Sequence, residues 1–395
     1  MRSRHACMRH ACSRRTFLKS TAVGMIAASS ESVMAASPTQ GALPPTAPVA
    51  IHRCNTYQFE LVKSRMSEMF DWLGTVRDLV KNKTVTIKVN LTGHLAQGIQ
   101  SLNRVETVYT HPMVTLAACK LFEEYGATRC VVVECVNSGT ALDCFIEDGY
   151  DISLFQSMCP IVEFENTRNL GNGGKYHTLQ VGDDGYLFNS FDFNHRYVET
   201  DVMVSIAKMK NHDIAGITLS MKNMFGTTPI SLYGNDARTN HEDATSDRSS
   251  VLHTATYSPQ TDGMIEPVIS RDDGFRVPRI VTDICRARPI DLAIIDAVVT
   301  QSGGEGNWNG DQLGLCVPGI LMAGTNCVCV DSVGASVMNF DPQALGWTKP
   351  FYNGENTFQL AADRYLGTNN LSDIDVVGTS IADARYAFLP GADKE

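Results

Sequence analysis

Residues 84–134 constrain the fold more than any other stretch. From Thr84 the chain reads Thr-Val-Thr-Ile-Lys-Val-Asn-Leu, a β-branched run with strand alternation. Residues 112–125 then place Val114, Ala117, Ala118, Leu121 and Phe122 at helical spacing, and Gly126 stands where a helix end is capped. Cys130-Val-Val-Val-Glu134 follows as a short, wholly apolar strand, the pattern of a strand covered by helices on both faces. A strand, a helix and a strand in this order make a parallel pair with a crossover helix.

The pattern recurs. Further strands are predicted over residues 203–207, 292–295, 321–323 and 375–377, and helices over 218–225, 279–286 and 331–338. Residues 165–198, rich in Gly, Asn and Asp, predict hairpins. Residues 234–276 are rich in Asp, Ser, Thr and His and predict a long excursion, and loops of that length usually cover a site. The expectation is a single α/β domain over residues 49–395, with a mainly parallel or mixed sheet flanked by helices and a long loop-rich excursion.

Charge divides the 395-residue chain in two. Its 33 Lys+Arg against 43 Asp+Glu give a net charge of -10. Residues 1–36 hold six bases and one acid, which leaves 27 basic against 42 acidic residues, a body at -15. Ser13-Arg14-Arg15-Thr16-Phe17-Leu18-Lys19, a modest apolar stretch and the small residues around Ala35 and Ala36 read as a twin-arginine (Tat) signal peptide. The expected partner of that segment is the Tat translocation machinery, and the expected location is periplasmic or otherwise extracytoplasmic. Residues 37–48 have the Pro-rich composition of a linker. No transmembrane span is expected in the mature chain, and a body at -15 argues against nucleic acid as a partner.

Ten of the twelve cysteines lie beyond the leader, without a Cys-x-x-Cys pair or a cluster-ligand spacing. No iron-sulfur cluster is expected. Their apolar neighbours mark them as buried thiols, with disulfides open to any that meet after export. Twin-arginine export carries folded proteins, so a metal or an organic cofactor loaded before export is compatible with the leader.

In an open parallel sheet, ligands collect at the carboxyl ends of strands. The polar residues that end the apolar runs are Lys88 and Asn90, Glu134, then Lys208, Lys210 and His212, and Asp296. Lys208 and Lys210, two apart on a strand end, are expected on one face. Lys222 and Asn223 follow in Ser-Met-Lys-Asn-Met-Phe-Gly, and Glu305 sits in the most Gly-rich run, residues 301–310. Lysines converging in an acidic body predict a positive pocket for a carboxylate or phosphate. Lys88, Asn90, Lys208, Lys222, Asn223 and Glu305 are the expected substrate or anion ligands, and His212, His111 and Lys210 the expected catalytic groups. His111 and His212 with Glu134, Asp296, Glu305 or Asp331 could instead ligate a metal. No P-loop, Rossmann fingerprint or nucleophile elbow is present.

The runs Ile87-Lys88-Val-Asn90-Leu, Thr110-His111-Pro112, Lys208-Met-Lys210-Asn-His212, Thr218-Leu-Ser-Met-Lys222-Asn223-Met-Phe-Gly226, Ile295-Asp296, Gly304-Glu305-Gly306 and Ala323-Gly-Thr-Asn-Cys-Val-Cys-Val-Asp331 occur in this order. Together they resemble the family known as domain of unknown function 362, over residues 84–380. The resemblance implies an α/β protein with a lysine- and histidine-lined site. Many members carry ferredoxin-like clusters near the C-terminus, which links the family with redox chemistry, and this chain lacks the matching cysteine quartet. Three functional expectations follow. The first is an exported enzyme acting on a small anionic substrate or cofactor, and the second a non-catalytic exported binding or accessory protein. The third is a metal-dependent enzyme with a two-histidine carboxylate site.

Overall fold

The computed structural model describes residues 43–91, 96–135, 141–237, 247–256, 263–265 and 269–391. The leader, residues 1–36, and the first half of the linker lie outside the described residues. Residues 43–48 carry no helix or strand.

In chain order the strands are β1 (Val49–Arg53), β2 (Thr84–Lys88), β3 (Arg129–Glu134), β4 (Val162–Asn166), β5 (His177–Gln180), β6 (Ser190–Phe193), β7 (Val202–Lys208), β8 (Lys210–His212), β9 (Gly216–Thr218), β10 (Leu292–Ala297), β11 (Thr300–Ser302), β12 (Gly314–Cys316), β13 (Ile320–Gly324) and β14 (Val376–Gly378). Eight of them form one sheet in the order β14-β1-β13-β10-β7-β2-β3-β4. β10, β7, β2, β3 and β4 run parallel, whereas β13 is antiparallel to both β10 and β1. The sheet is therefore mixed, with a parallel half that carries the strand ends named above. β5 and β6 form the hairpin expected within 165–198.

Strand alternation divides the core into two layers. Val131 and Val133 of β3, with Ala293 and Ile295 of β10, pack on one face against the helices Asp273–Ala287 and Cys327–Val337. Cys130, Val132, Leu292 and Ile294 pack on the other, against the helices Phe59–Leu73 and Pro112–Glu124. Among the described residues nine cysteines are free and buried, and eight of them fill this core as small side chains, while Cys135 stands apart beside Ile230. No helix among the described residues is long and apolar enough to cross a membrane.

Three local readings are corrected. The predicted helix 218–225 is three elements: Thr218 ends β9, Ser220–Asn223 is a single α-turn, and Met224–Thr227 is a 3-10 turn. The helix predicted from 279 begins at Asp273, because Asp272 accepts hydrogen bonds from the Gly274 and Phe275 amides. The excursion is thus shorter than 234–276, and part of it is packed: Val251 and Leu252 are fully buried in a π-helical turn, Ser249–His253.

Candidate functional site

β2 and β3 are neighbours, so their last side chains meet at the carboxyl edge. Lys88 Nζ lies 2.6 Å from Glu134 Oε1, with both side chains buried. The ammonium also donates to the Val89 carbonyl (2.8 Å) and to Asn223 Oδ1 (3.3 Å). Glu134 in turn accepts from the Leu91 and Cys135 amides, each at 2.8 Å. Burial lowers the Lys88 pKa, and the Glu134 charge pulls it back. The pair needs room on its open side. A Cβ on Gly226 would fall 2.8 Å from Lys88 Nζ and 3.2 Å from Glu134 Oε1, so only glycine leaves the pair in place.

The amides beside this pair are oriented by their partners. Asn223 Nδ2 donates to the Lys88 carbonyl and to Ser205 Oγ, which leaves Asn223 Oδ1 to accept from Asn90 Nδ2. Asn90 Oδ1 then has no partner and is enclosed.

In front of the pair opens a cavity of about 230 Å³, whose lining includes Lys222, Arg248, His212, His253 and Glu305. Lys222 comes from the α-turn that follows β9, and its ammonium lies over the Phe225 ring, 4.7 Å from the centroid. Among the described residues it has no hydrogen bond or ion pair. Burial lowers its pKa to about 8, with Glu305 raising it and Arg248 and Lys88 lowering it further. Arg248 donates through Nε to the Thr228 carbonyl and through Nη2 to Cys135 Sγ, another residue of the lining.

His212 and Glu305 face each other at 2.6 Å. His212 Nδ1 accepts from the Ile214 and Ala215 amides (3.1 and 3.2 Å), so the ring proton sits on Nε2 and is donated to Glu305. Burial keeps the ring neutral by lowering its pKa. Burial alone would raise the Glu305 carboxyl, but the His212 contact and the Lys222 and Lys210 ammoniums hold it well below the usual carboxylate range. Glu305 rides on a Gly-rich loop between β11 and β12 that turns at Gly303, φ 84°. Asn309 Oδ1 pins the loop by accepting from the Glu305 and Gly306 amides.

Lys208 and Lys210 were expected on one face, and the structure separates them. The chain leaves the main sheet after Lys208, and Lys210 starts the β8–β9 ribbon. Lys210 is fully buried behind Glu305, its Nζ 3.3 Å from the Glu305 carbonyl, and burial lowers its pKa to about 7. Lys208 instead lies 2.7 Å from Asp296 at the neighbouring strand end, with both side chains inaccessible. Tyr57 donates to Asp296 Oδ1 (2.9 Å) and accepts from Lys208 Nζ (2.9 Å). The His111 amide donates to Asp296 Oδ2, and its ring stacks on Tyr57 with centroids 3.6 Å apart. His111 Nδ1 caps the helix Pro112–Glu124 by accepting from the Met113 amide, and burial lowers the ring pKa to about 4.

Of the four carboxylates considered as metal ligands, Glu305 meets His212 alone of the two histidines, and the other three stand in three surroundings. Glu134 faces Lys88 and Asp296 faces Lys208, while Asp331, in the helix Cys327–Val337, accepts from the Ser220 amide, the Ser220 hydroxyl and the Met221 amide. Burial pushes the Asp331 carboxyl up to about 7 against those three donors. His111 and His212 serve separate networks, so the proposed two-histidine carboxylate set is not brought together. Among the described residues no group of three or more His, Cys, Asp or Glu side chains is placed to hold a metal ion.

The cavity thus collects Lys88, Asn90, Glu134, His212, Lys222, Asn223 and Glu305 of the predicted residues, and leaves out Lys208, Lys210, His111, Asp296 and Asp331. It adds Arg248 and His253, then Asp247, Ser249, Cys135 and Trp308. The signal for the first two was the excursion itself, a long polar segment with a base and a histidine in it.

An α/β protein with a cavity lined by basic, acidic and histidine side chains at the carboxyl edge of its sheet is the class defined by this geometry. The chain belongs to the family described as Domain of unknown function (DUF362), whose model matches residues 85–336. It is 23% identical over 299 residues to a thylakoid-associated protein of Synechocystis sp., which covers 75% of this chain and 76% of that one. A Thermotoga maritima crystal structure is similar over 65% of this chain and 54% of its own, with 16% identity and a TM-score of 0.32.

Proposed function

We propose that this chain is an exported enzyme that binds a small organic anion in the cavity, with Lys222 and Arg248 holding the anion. The observation that carries the reading is Lys222, a cavity-lining ammonium without a hydrogen bond or ion pair among the described residues. An ammonium with no hydrogen-bonded partner, balanced only by the longer-range charge of Glu305, favours an anionic ligand in a partly buried site. Lys88, expected as a direct ligand, is occupied by Glu134 and Asn223 and acts here by holding the cavity wall. Lys222, titrating at about 8, also suits proton transfer near neutrality, whereas Glu305 is too acidic for an effective base.

A second reading, a non-catalytic binding protein, draws support from His212, whose Nδ1 is engaged by two backbone amides. Calorimetric titration with succinate, compared between the wild type and Lys222→Met, tests anion binding. The variant is expected to bind at least about tenfold more weakly, since charge-assisted hydrogen bonds contribute about 1.5–3 kcal/mol. Unchanged affinity would remove Lys222 from the site. Mass spectrometry of small molecules copurifying with the exported protein, followed by turnover assays on them, separates the two readings.

Export through the twin-arginine route rests on Arg14-Arg15-Thr16-Phe17-Leu18-Lys19. A thylakoid-associated relative is compatible with a location outside the cytoplasm. Replacing Arg14 and Arg15 with Lys is expected to retain the protein in the cytoplasmic fraction, and continued export of that variant would discard the assignment.

A further inference from the structure

The histidines of the cavity differ in what their ring nitrogens do. His212 is committed on both sides, to two backbone amides and to Glu305. His253 lines the same cavity, and among the described residues its ring makes no hydrogen bond or ion pair. It is held by an edge-on contact with Phe225, with centroids 5.5 Å apart and planes at 73°. The Lys222 ammonium rests over that same ring, so His253 and Lys222 close on one aromatic side chain.

Burial lowers the His253 pKa to about 3. Lys222 and His212 push the same way, and Glu305 and Asp247 oppose them. A neutral imidazole presents one N–H donor and one lone-pair acceptor.

The other polar groups of the cavity divide by role. Lys222 and Arg248 can only donate. Glu134 is engaged by Lys88 and two amides, whereas Glu305 meets His212 through one oxygen and Asp247 meets Asn235 and Ser249 through one oxygen, so among the described residues each keeps a charged oxygen open. Asn90 Oδ1 lacks a partner but is enclosed. An anion placed against Lys222 and Arg248 therefore finds donors for its charge, and the His253 nitrogen is a neutral acceptor beside them, distinct from the charged Asp247 and Glu305 oxygens that would repel the anion.

We propose that His253 is the ligand-contacting histidine of the cavity, and that with Lys222 and Arg248 it selects an organic anion bearing a hydroxyl over the same anion without one. The carboxylate accepts from the ammonium and guanidinium, and the hydroxyl donates to the imidazole. This inference rests on the anion-binding reading above, and names the substrate class of that site as a hydroxy acid.

The test is calorimetric titration of the full-length exported protein with L-malate and with succinate, two dicarboxylates that differ by one hydroxyl. Malate is expected to bind roughly threefold to tenfold more tightly, the range of one net hydrogen bond. His253→Phe should abolish that preference, so that malate and succinate bind alike, and His253→Gln, which keeps an acceptor, should retain part of it. Equal binding of the two acids to the wild type overturns the His253 assignment and leaves the anion site standing. So does a preference that survives in His253→Phe. Binding of neither acid overturns the anion site and this inference with it. If His253→Phe does not fold, the comparison of acids on the wild type and on His253→Gln still decides.

Discussion

Two lysine–carboxylate pairs stand at adjacent ends of the same sheet, and their surroundings differ. Lys208–Asp296 is sealed: both side chains are inaccessible, and Tyr57, the Glu106 and Val299 carbonyls and the His111 amide complete its hydrogen bonds. Lys88–Glu134 is as tightly paired, but it forms part of a cavity wall beside Lys222 and Arg248. The same residue types at equivalent strand ends therefore serve structure in one case and a candidate site in the other. Access to the cavity makes the difference.

Removing one partner tests that contrast most strongly. Lys208→Met leaves Asp296 charged in a closed interior, and the expected loss is about 3–5 kcal/mol in urea denaturation. Succinate binding by the folded fraction should not change. Lys88→Met should cost less, about 1–3 kcal/mol, because Glu134 lines the cavity and water can enter there, whereas Asp296 is sealed. It should also weaken succinate binding. Equal losses for the two variants would erase the distinction between the pairs.

Gly226→Ala probes the wall without changing its charge. The added methyl meets the Lys88–Glu134 pair and displaces it toward the cavity, at an expected cost of about 1–3 kcal/mol. A variant with wild-type stability and succinate affinity would show that the pair does not need that space.

The smallest effect is a pair of opposed pH trends. Lys222 and Lys210 titrate at about 8 and about 7 in the folded chain, below the ordinary 10.5. Between those values the unfolded chain binds more protons than the folded one, so these two amines make stability rise with pH from about 7 toward 10. Under the proposed function anion binding needs the Lys222 proton, and it should fall as pH rises through about 8. Denaturation and titration series at pH 7, 8 and 9 check both slopes, and Lys222→Met should flatten the binding trend.

The parallel half of the sheet was legible because its signals are local. Val131-Val132-Val133 reads as a strand covered on two sides, and residues 112–125 read as the helix that crosses back. The helix Phe59–Leu73 went unread although its signal is present, in Val62, Met66, Met69, Phe70 and Leu73 ahead of the positive-φ Gly74. The break at Met209 carried no sequence mark, because alternation alone continues the strand through Lys210. β8 pairs with β9 through Lys210↔Thr218, a contact made by the later chain.

Composition and pattern by themselves determined an α/β sheet with lysines, carboxylates and histidines at its strand ends. Local periodicity and strand-end position are properties of neighbouring residues, and a sequence displays them. Only the tertiary structure decided which lysine has a partner. That depends on β7 lying between β2 and β10, which joins Lys208 to Asp296, and on β3 lying beside β2, which joins Lys88 to Glu134. It also depends on the excursion returning Arg248 and His253 to the cavity, next to a Lys222 left unpaired among the described residues. Those pairings join residues far apart in the chain, and their energies come from burial and charge at distances that no local pattern encodes.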